Sequence, residues 1–110
     1  MIRHKLKPII VVLNNDGYTT ERLIHGEDME YNDIQPWKYA KFLKAFGAKK
    51  GEYKSYVVKT GAEFHDLFMP GNEFSKANVI QLVEIVMPRK DAPHGLVHTV
   101  QMMRNFNKKL

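Results

Sequence analysis

Three runs of apolar and β-branched residues predict three β-strands. The first, residues 9–13, is continuously apolar, which is typical of a strand that is covered on both faces. The second, residues 53–59, is centred on a Tyr-Val-Val triplet. The third, residues 78–87, is apolar nearly throughout after Asn78, with Gln81 and Glu84 as exceptions, and it ends before Pro88.

Helix signals follow the first strand. Thr19 and Thr20 are residue types that cap helices, Glu21 favours the positive end of a helix, and Gly26 is a stop signal, so we expect a helix between them. After the acidic, irregular stretch 27–35, a second helix is expected from Pro36 to Gly47. Its predicted buried stripe, spaced as on a helix, is Trp37, Ala40, Leu43 and Phe46, opposite Lys38, Lys41 and Lys44.

Two further helices complete the pattern. A short one is predicted over residues 62–68, before Pro70-Gly71. A last one is expected to start at Asp91 or Pro93, with Leu96, Val100 and Met103 buried and with Arg104, Lys108 and Lys109 at its negative end. The β-α-α-β-α-β-α order predicts an α/β fold: a three-layer arrangement of a parallel sheet with flanking helices and right-handed crossovers.

Composition narrows the class of protein. With 110 residues the chain is one domain at most, and 44% hydrophobic residues allow a core. It contains no cysteine, which excludes disulfides and thiolate chemistry and fits a reducing compartment. No apolar run approaches the roughly 20 residues of a membrane helix. We therefore expect a cytoplasmic protein without a membrane partner.

The net charge of +5 raises the possibility of nucleic-acid binding. However, the lysines are spread along the chain and do not alternate with aromatic residues in the way that base-stacking surfaces require. We expect a solvated basic surface and no nucleic-acid partner.

The stretch after the first strand, residues 14–21, is the candidate site. Ligands of parallel α/β sheets collect where strands end. Asn15 offers an amide oxygen and Gly17 a main-chain oxygen to a hard cation such as Mg²⁺, and the start of the next helix suits a diphosphate. Asp16, between the two, is expected to point away. Taken alone, Asn-Asn-Asp-Gly is also an ordinary turn.

These residues belong to a longer pattern. NNDGYTTERLIHG, YNDIQPW, FLKAFGA and VEIVMPRKDAP together resemble the C-terminal, diphosphate-binding domain of the thiamine-diphosphate-dependent 2-oxo acid decarboxylases of the pyruvate decarboxylase type. The resemblance implies that Asn15 and Gly17 ligate Mg²⁺ and that Glu21 takes part in proton chemistry. It also implies that thiamine diphosphate lies along Asn15, Asp16, Gly17, Tyr18, Thr19 and Thr20.

The chain departs from that family in two places. The Gly-Asp-Gly triplet that carries the family's magnesium carboxylate has no counterpart before Asn14, and Thr20 stands where a bulkier aliphatic residue is common. We therefore expect residues 1–110 to be the C-terminal part of the diphosphate-binding domain, truncated, with the N-terminal and middle domains absent. Such a chain is expected to be inactive alone.

Several partners follow from this expectation. The complete enzyme would take a 2-oxo acid, pyruvate, as its substrate. The chain itself is expected to form a homo-oligomer or to dock onto a complementary N-terminal part, because a sheet without its neighbours exposes edges. The alternative is a non-catalytic interaction protein that docks onto decarboxylase subunits. A basic nucleic-acid module ranks last.

The histidines are weaker candidates. His94 and His98, four residues apart on a predicted helix, have the spacing of zinc ligands, but no third ligand lies at the expected distance in the sequence. They are expected to be surface residues. His25 is expected to be a buried, hydrogen-bonded structural histidine.

Overall fold

The computed structural model describes residues 1–108. Its elements are, in chain order, β1 (Ile9–Asn14), α1 (Thr19–His25), α2 (Phe42–Ala45), β2 (Tyr53–Val58), α3 (Gly61–Phe68), α4 (Glu73–Lys76), β3 (Ile80–Val86) and α5 (His94–Asn107). Short 3₁₀ turns cover Ile2–His4, Glu30–Asn32 and Tyr39–Lys41.

These elements fall into two compact units. The sheet unit comprises residues 1–14 and 37–86, and the loop unit comprises residues 15–36 and the chain from residue 87 onward. Among the described residues, no helix combines the length and the apolar character that crossing a membrane would demand.

The sheet unit contains three parallel strands in the order β1-β3-β2. In the register, Ile9 of β1 lies opposite Gln81 of β3, and Tyr53 of β2 lies opposite Ile80. The central strand is buried along most of its length, and Val83 at its middle has no exposed surface. The predicted α/β class and parallel sheet are confirmed.

The core of the sheet unit lies on both faces of β3, because side chains alternate along a strand. On one face, Ile80 and Leu82 pack with Leu43 and Ala48. On the other, Val83 packs with Val58 and with Phe74 of α4. Helical segments therefore flank the central strand on both sides, as the three-layer prediction required.

Glu84 is, with Gln81, one of the buried polar side chains of β3. Its side chain is 8% exposed and lies on the same face of β3 as Leu82. Oε1 accepts a hydrogen bond from Asn14 Nδ2 at 2.8 Å, and Oε2 accepts one from the backbone N–H of Ala40 at 3.3 Å. The carboxylate therefore ties the last residue of β1 to the 3₁₀ turn over Tyr39–Lys41.

One face of β1 contradicts the prediction that this strand is covered on both sides. Ile9, Val11 and Leu13 are 52%, 47% and 63% exposed, whereas Ile10 and Val12 pack against the core. We call Ile9, Val11 and Leu13 the β1 surface. Apolar composition alone does not distinguish a strand with two covered faces from one with a single covered face, which is the reason for the error.

The predicted helix from Pro36 to Gly47 was also wrong in its extent. Only the 3₁₀ turn and the four residues of α2 are helical, and Trp37 and Phe46 are 58% and 71% exposed. Trp37, Tyr39, Phe42 and Phe46 instead form a cluster with ring centroids 5.2–6.0 Å apart. Such aromatic contacts stabilise a compact segment without a continuous helix.

The other predicted elements need smaller corrections. The third strand is shorter than predicted, and α4 was missed. In α5, Val100 is 4% exposed as expected, but Met103 is 48% exposed, so its predicted burial was wrong. The helix begins at His94 with Pro93 as the N-cap. Lys109, placed by sequence at its end, lies outside the described residues.

Candidate functional site

The candidate site lies in the loop unit, in the turn that precedes α1. Asp16 has φ 56° and Gly17 has φ 138°, so two successive residues adopt the left-handed side of backbone space. A Cβ on Gly17 would lie 2.9 Å from Asn32 O and 3.0 Å from Arg22 Nη2. Glycine is therefore required here both by backbone angle and by space.

Asn15 and Thr19 form a hydrogen-bonded chain that orients the Asn15 amide. Thr19, which is 7% exposed, donates its hydroxyl proton to Arg89 O at 2.9 Å. Its oxygen is then an acceptor, and it accepts from Asn15 Nδ2 at 2.7 Å. This arrangement commits the nitrogen of the amide to Thr19 and leaves Oδ1 as the atom available to a cation.

Thr19 does not cap α1, contrary to one of the sequence predictions. Tyr18 is the N-cap, no side chain caps the helix, and Thr19 is the first helical residue. The buried hydroxyl instead accepts a hydrogen bond from Asn15 and donates one to Arg89 O. The predicted end of this helix at Gly26 is confirmed.

The carboxylate of Asp16 is paired with Arg89. Oδ2 accepts two hydrogen bonds from Arg89, from Nε at 3.0 Å and from Nη2 at 2.5 Å, and both are charge-assisted. The hydrogen bond with Asp16 raises the pKa of Arg89. With its charge engaged in this way, Asp16 is a poor substitute for a magnesium carboxylate.

The remaining predicted residues are more exposed. Tyr18 is 57% exposed, and Thr20 is also exposed. The side chain of Glu21 is 49% exposed, and its Oε2 lies 3.4 Å from Nε2 of His25, one helical turn away. His25 itself is 58% exposed in its side chain, so the prediction that it is buried was wrong. The two side chains therefore lie side by side on an exposed part of α1.

Arg22 is the side chain that sequence reasoning missed. It is 1% exposed and donates to Glu27 O at 3.0 Å, to Asn32 O at 2.9 Å and to Asp33 Oδ1. The hydrogen bond from Arg22 holds the pKa of Asp33 below its ordinary value. These contacts join residues 5 to 11 positions apart without a regular period, so no spacing in the sequence pointed to them.

The resemblance implies Mg²⁺ as the metal, and the oxygen atoms of the turn are its candidate ligands. Within residues 1–108, no group of three or more His, Asp or Glu side chains is arranged to hold a metal ion, and His94 and His98 are exposed. Asn15 Oδ1 and the main-chain oxygen of Gly17 are hard, neutral ligands of the type that Mg²⁺ accepts. Their chemistry fits magnesium, although two neutral oxygens are only part of the ligand set that the ion requires.

Comparison with known proteins agrees with the motif. The chain is 51% identical over 108 residues to the pyruvate decarboxylase of Aspergillus fumigatus, an alignment covering 98% of this chain. It is 47% identical over 109 residues to pyruvate decarboxylase isozyme 3 of Saccharomyces cerevisiae, covering 99% of this chain. The chain belongs to the pyruvate decarboxylase family. A third pyruvate decarboxylase, from Kluyveromyces lactis, is 45% identical over 109 residues, or 99% of this chain.

The match covers only part of each relative. This chain spans 19% of the length of each of these pyruvate decarboxylases. In a separate comparison, no protein-family model matched the chain. The named relatives are pyruvate decarboxylases, which are carboxy-lyases. The similarity supports the identification of this chain as a segment of a decarboxylase.

Proposed function

We propose that residues 1–110 form the C-terminal part of the diphosphate-binding domain of a pyruvate decarboxylase. In the complete enzyme this segment would help to bind thiamine diphosphate and Mg²⁺, and the enzyme would release carbon dioxide from pyruvate to give an aldehyde. The observation that carries the proposal is the orientation of Asn15. Its amide nitrogen is committed to Thr19 at 2.7 Å, which leaves Oδ1 for the cation.

Each residue of the turn has a role in this proposal. Asn15 Oδ1 and Gly17 O would hold Mg²⁺, and residues 15–20 would line the cofactor. Glu21, exposed on α1 beside His25, would hold or deliver a proton near the reacting carbon. Thiamine diphosphate, when bound, supplies the electron sink for decarboxylation.

The proposal also requires groups from outside this chain. The magnesium carboxylate and the remaining acid–base groups would come from other parts of the enzyme, which we propose to be a cytoplasmic homo-oligomer. Without those groups the chain is expected to be inactive, because losing several positioned groups removes many orders of magnitude of rate. Calorimetry of the chain with thiamine diphosphate and Mg²⁺ should detect no micromolar binding. Micromolar binding would show that no further carboxylate is needed.

A chimera tests the catalytic role directly. Residues 1–110 would replace the matched segment of the A. fumigatus enzyme, and pyruvate decarboxylation would be measured at saturating cofactor. We expect activity that depends on Mg²⁺, and we expect Glu21→Gln to lower kcat by about 10²–10⁴-fold, the usual contribution of a general acid or base. Glu30→Gln, the same change at an exposed position, is the control. Equal kcat values for the two variants would remove Glu21 from the mechanism.

A second candidate function is favoured by the β1 surface. Three apolar side chains exposed on one face of a strand at the edge of the described sheet suit docking onto another polypeptide. The chain could then act as a non-catalytic partner of intact decarboxylase subunits. In a pull-down with intact A. fumigatus enzyme, Val11→Lys should abolish capture. Val57→Lys, at a similarly exposed valine of β2, should not; equal capture by both variants would argue against docking through β1.

A further inference from the structure

A closed ring of side chains surrounds the Asp16–Gly17 turn. Arg89 donates hydrogen bonds from Nε and Nη2 to the Asp16 carboxylate, and it also donates from Nη1 to Asp33 Oδ1 at 3.3 Å. Asp33 Oδ1 in turn accepts from Arg22 Nη2. Arg22 lies against Gly17, and Gly17 is covalently bonded to Asp16. The ring therefore consists of Asp16, Arg89, Asp33 and Arg22, and the backbone of Gly17 closes it.

The side of the ring next to Gly17 is buried and hydrogen-bonded. Arg22 is 1% exposed and Asn32 is 2% exposed, and Asn32 Nδ2 donates to Gly26 O at 3.1 Å. The N–H of Arg22 also donates to Tyr18 O at 2.9 Å, so the same residue lies against Gly17 and bonds to the residue that follows it. These contacts form a wall that leaves Gly17 no space for a side chain.

The turn needs such support because its backbone is unfavourable. Asp16 is a non-glycine residue with a left-handed φ, a conformation that Asp tolerates better than most residues but that still costs free energy unless its surroundings favour it. A main-chain oxygen can serve as a preorganised ligand only if the backbone that carries it is fixed. The ring supplies that constraint from residues far away in the sequence.

We propose that Arg22, Asp33 and Arg89 are positioning residues that hold the Asp16–Gly17 turn in its ligand-binding conformation before any cofactor is present. The reference to a ligand rests on the proposed function. The conformational statement concerns this chain alone and is tested without metal or cofactor.

The first arm measures amide hydrogen exchange by NMR on the full chain without ligand. Arg89→Met keeps the length of the side chain and removes its charge. We expect it to raise exchange at the Gly17–Arg22 amides by about fivefold, the upper effect of a partly exposed ion pair, with β3 amides unchanged. Arg89→Lys should raise exchange by an intermediate amount, because lysine keeps the positive charge but lacks the planar, many-donor guanidinium group. Unchanged exchange in the turn, or an equal rise throughout the chain, would overturn the proposal.

Two glycine variants test the wall. Gly17 and Gly26 have similar φ values, 138° and 127°, but the Cβ at position 26 would meet only the flexible side chain of Met29. Gly17→Ala should therefore increase exchange at the Arg22 amide at least tenfold more than Gly26→Ala does. Equal effects would mean that backbone strain alone matters and that Arg22 and Asn32 provide no wall.

The second arm adds Mg²⁺ and thiamine diphosphate at millimolar concentrations and follows the NMR signals of Asn15 and Gly17. In Arg89→Met, the Mg²⁺ concentration at half-saturation should rise about fivefold. If Arg89→Met leaves the Mg²⁺ concentration at half-saturation unchanged, the ring does not contribute to ligand binding. If the unaltered chain shows no response at any concentration, the two neutral ligands do not hold Mg²⁺ on their own and the chimera decides the proposed function, whereas the first arm still decides whether the ring holds the turn.

Discussion

Glu84→Gln is the sharpest test of the sheet unit. The Glu84 carboxylate is 8% exposed and accepts two hydrogen bonds, from Asn14 Nδ2 at 2.8 Å and from the N–H of Ala40 at 3.3 Å. Glutamine keeps the shape but turns one acceptor into a donor. If its oxygen faces Ala40, its NH₂ group faces the NH₂ group of Asn14, and Asn14 must then reverse its own contacts.

Losing one buried, charge-assisted hydrogen bond costs about 1.5–3 kcal/mol, and partial rearrangement of Asn14 favours the lower end. Trp37, the single tryptophan, lies 6.0 Å from Phe42 between ring centroids and reports on the adjoining segment by fluorescence. In urea, the unfolding midpoint should fall by roughly 1 M or more. The exposed change Glu30→Gln is the control. A midpoint equal to that of the control would refute the role given to Glu84.

Three further predictions concern the rest of the chain. The pKa of Asp33 is lowered in the folded state, chiefly by the hydrogen bond from Arg22. The contribution of Asp33 to stability is therefore present above its ordinary pKa and is lost as the pH falls. Asp33→Asn should flatten the acid side of the pH–stability profile. Thr60→Ala removes the capping box of α3 and should cost about 1 kcal/mol in thermal unfolding. In light scattering the chain should self-associate, with Val11→Lys giving smaller particles than Val57→Lys. A monodisperse unaltered monomer would contradict that expectation.

The sequence predicted those parts of the fold whose signals are local. All three strands were found from β-branched apolar runs, and α5 was found from its apolar spacing and its proline start. The stretch from Trp37 to Phe46 failed for a specific reason. Aromatic residues at helical spacing also fit a cluster in which the rings contact each other, and the local pattern does not separate the two.

The candidate site divides in the same way. The turn itself, with Asn15 and Gly17, was recognisable because it is a contiguous motif. Its supports were not, since Arg89 reaches Asp16 from 73 residues away. An arginine near a proline at a strand end resembles any solvated charge, so only the folded arrangement could distinguish it.

The β1 surface connects the failed burial prediction with the family assignment. Because Ile9, Val11 and Leu13 are about half exposed, each forgoes roughly half of the about 1.5–3 kcal/mol that full burial would give, although polar residues would serve equally well on an exposed face. A strand with this composition suits cover by another polypeptide. Because the chain spans 19% of the length of its relatives, the proposed enzyme has ample polypeptide to supply that cover. The same reasoning predicts that covering β1 would stabilise the sheet unit, whereas the ring around the Asp16–Gly17 turn needs no partner because its members all belong to the loop unit.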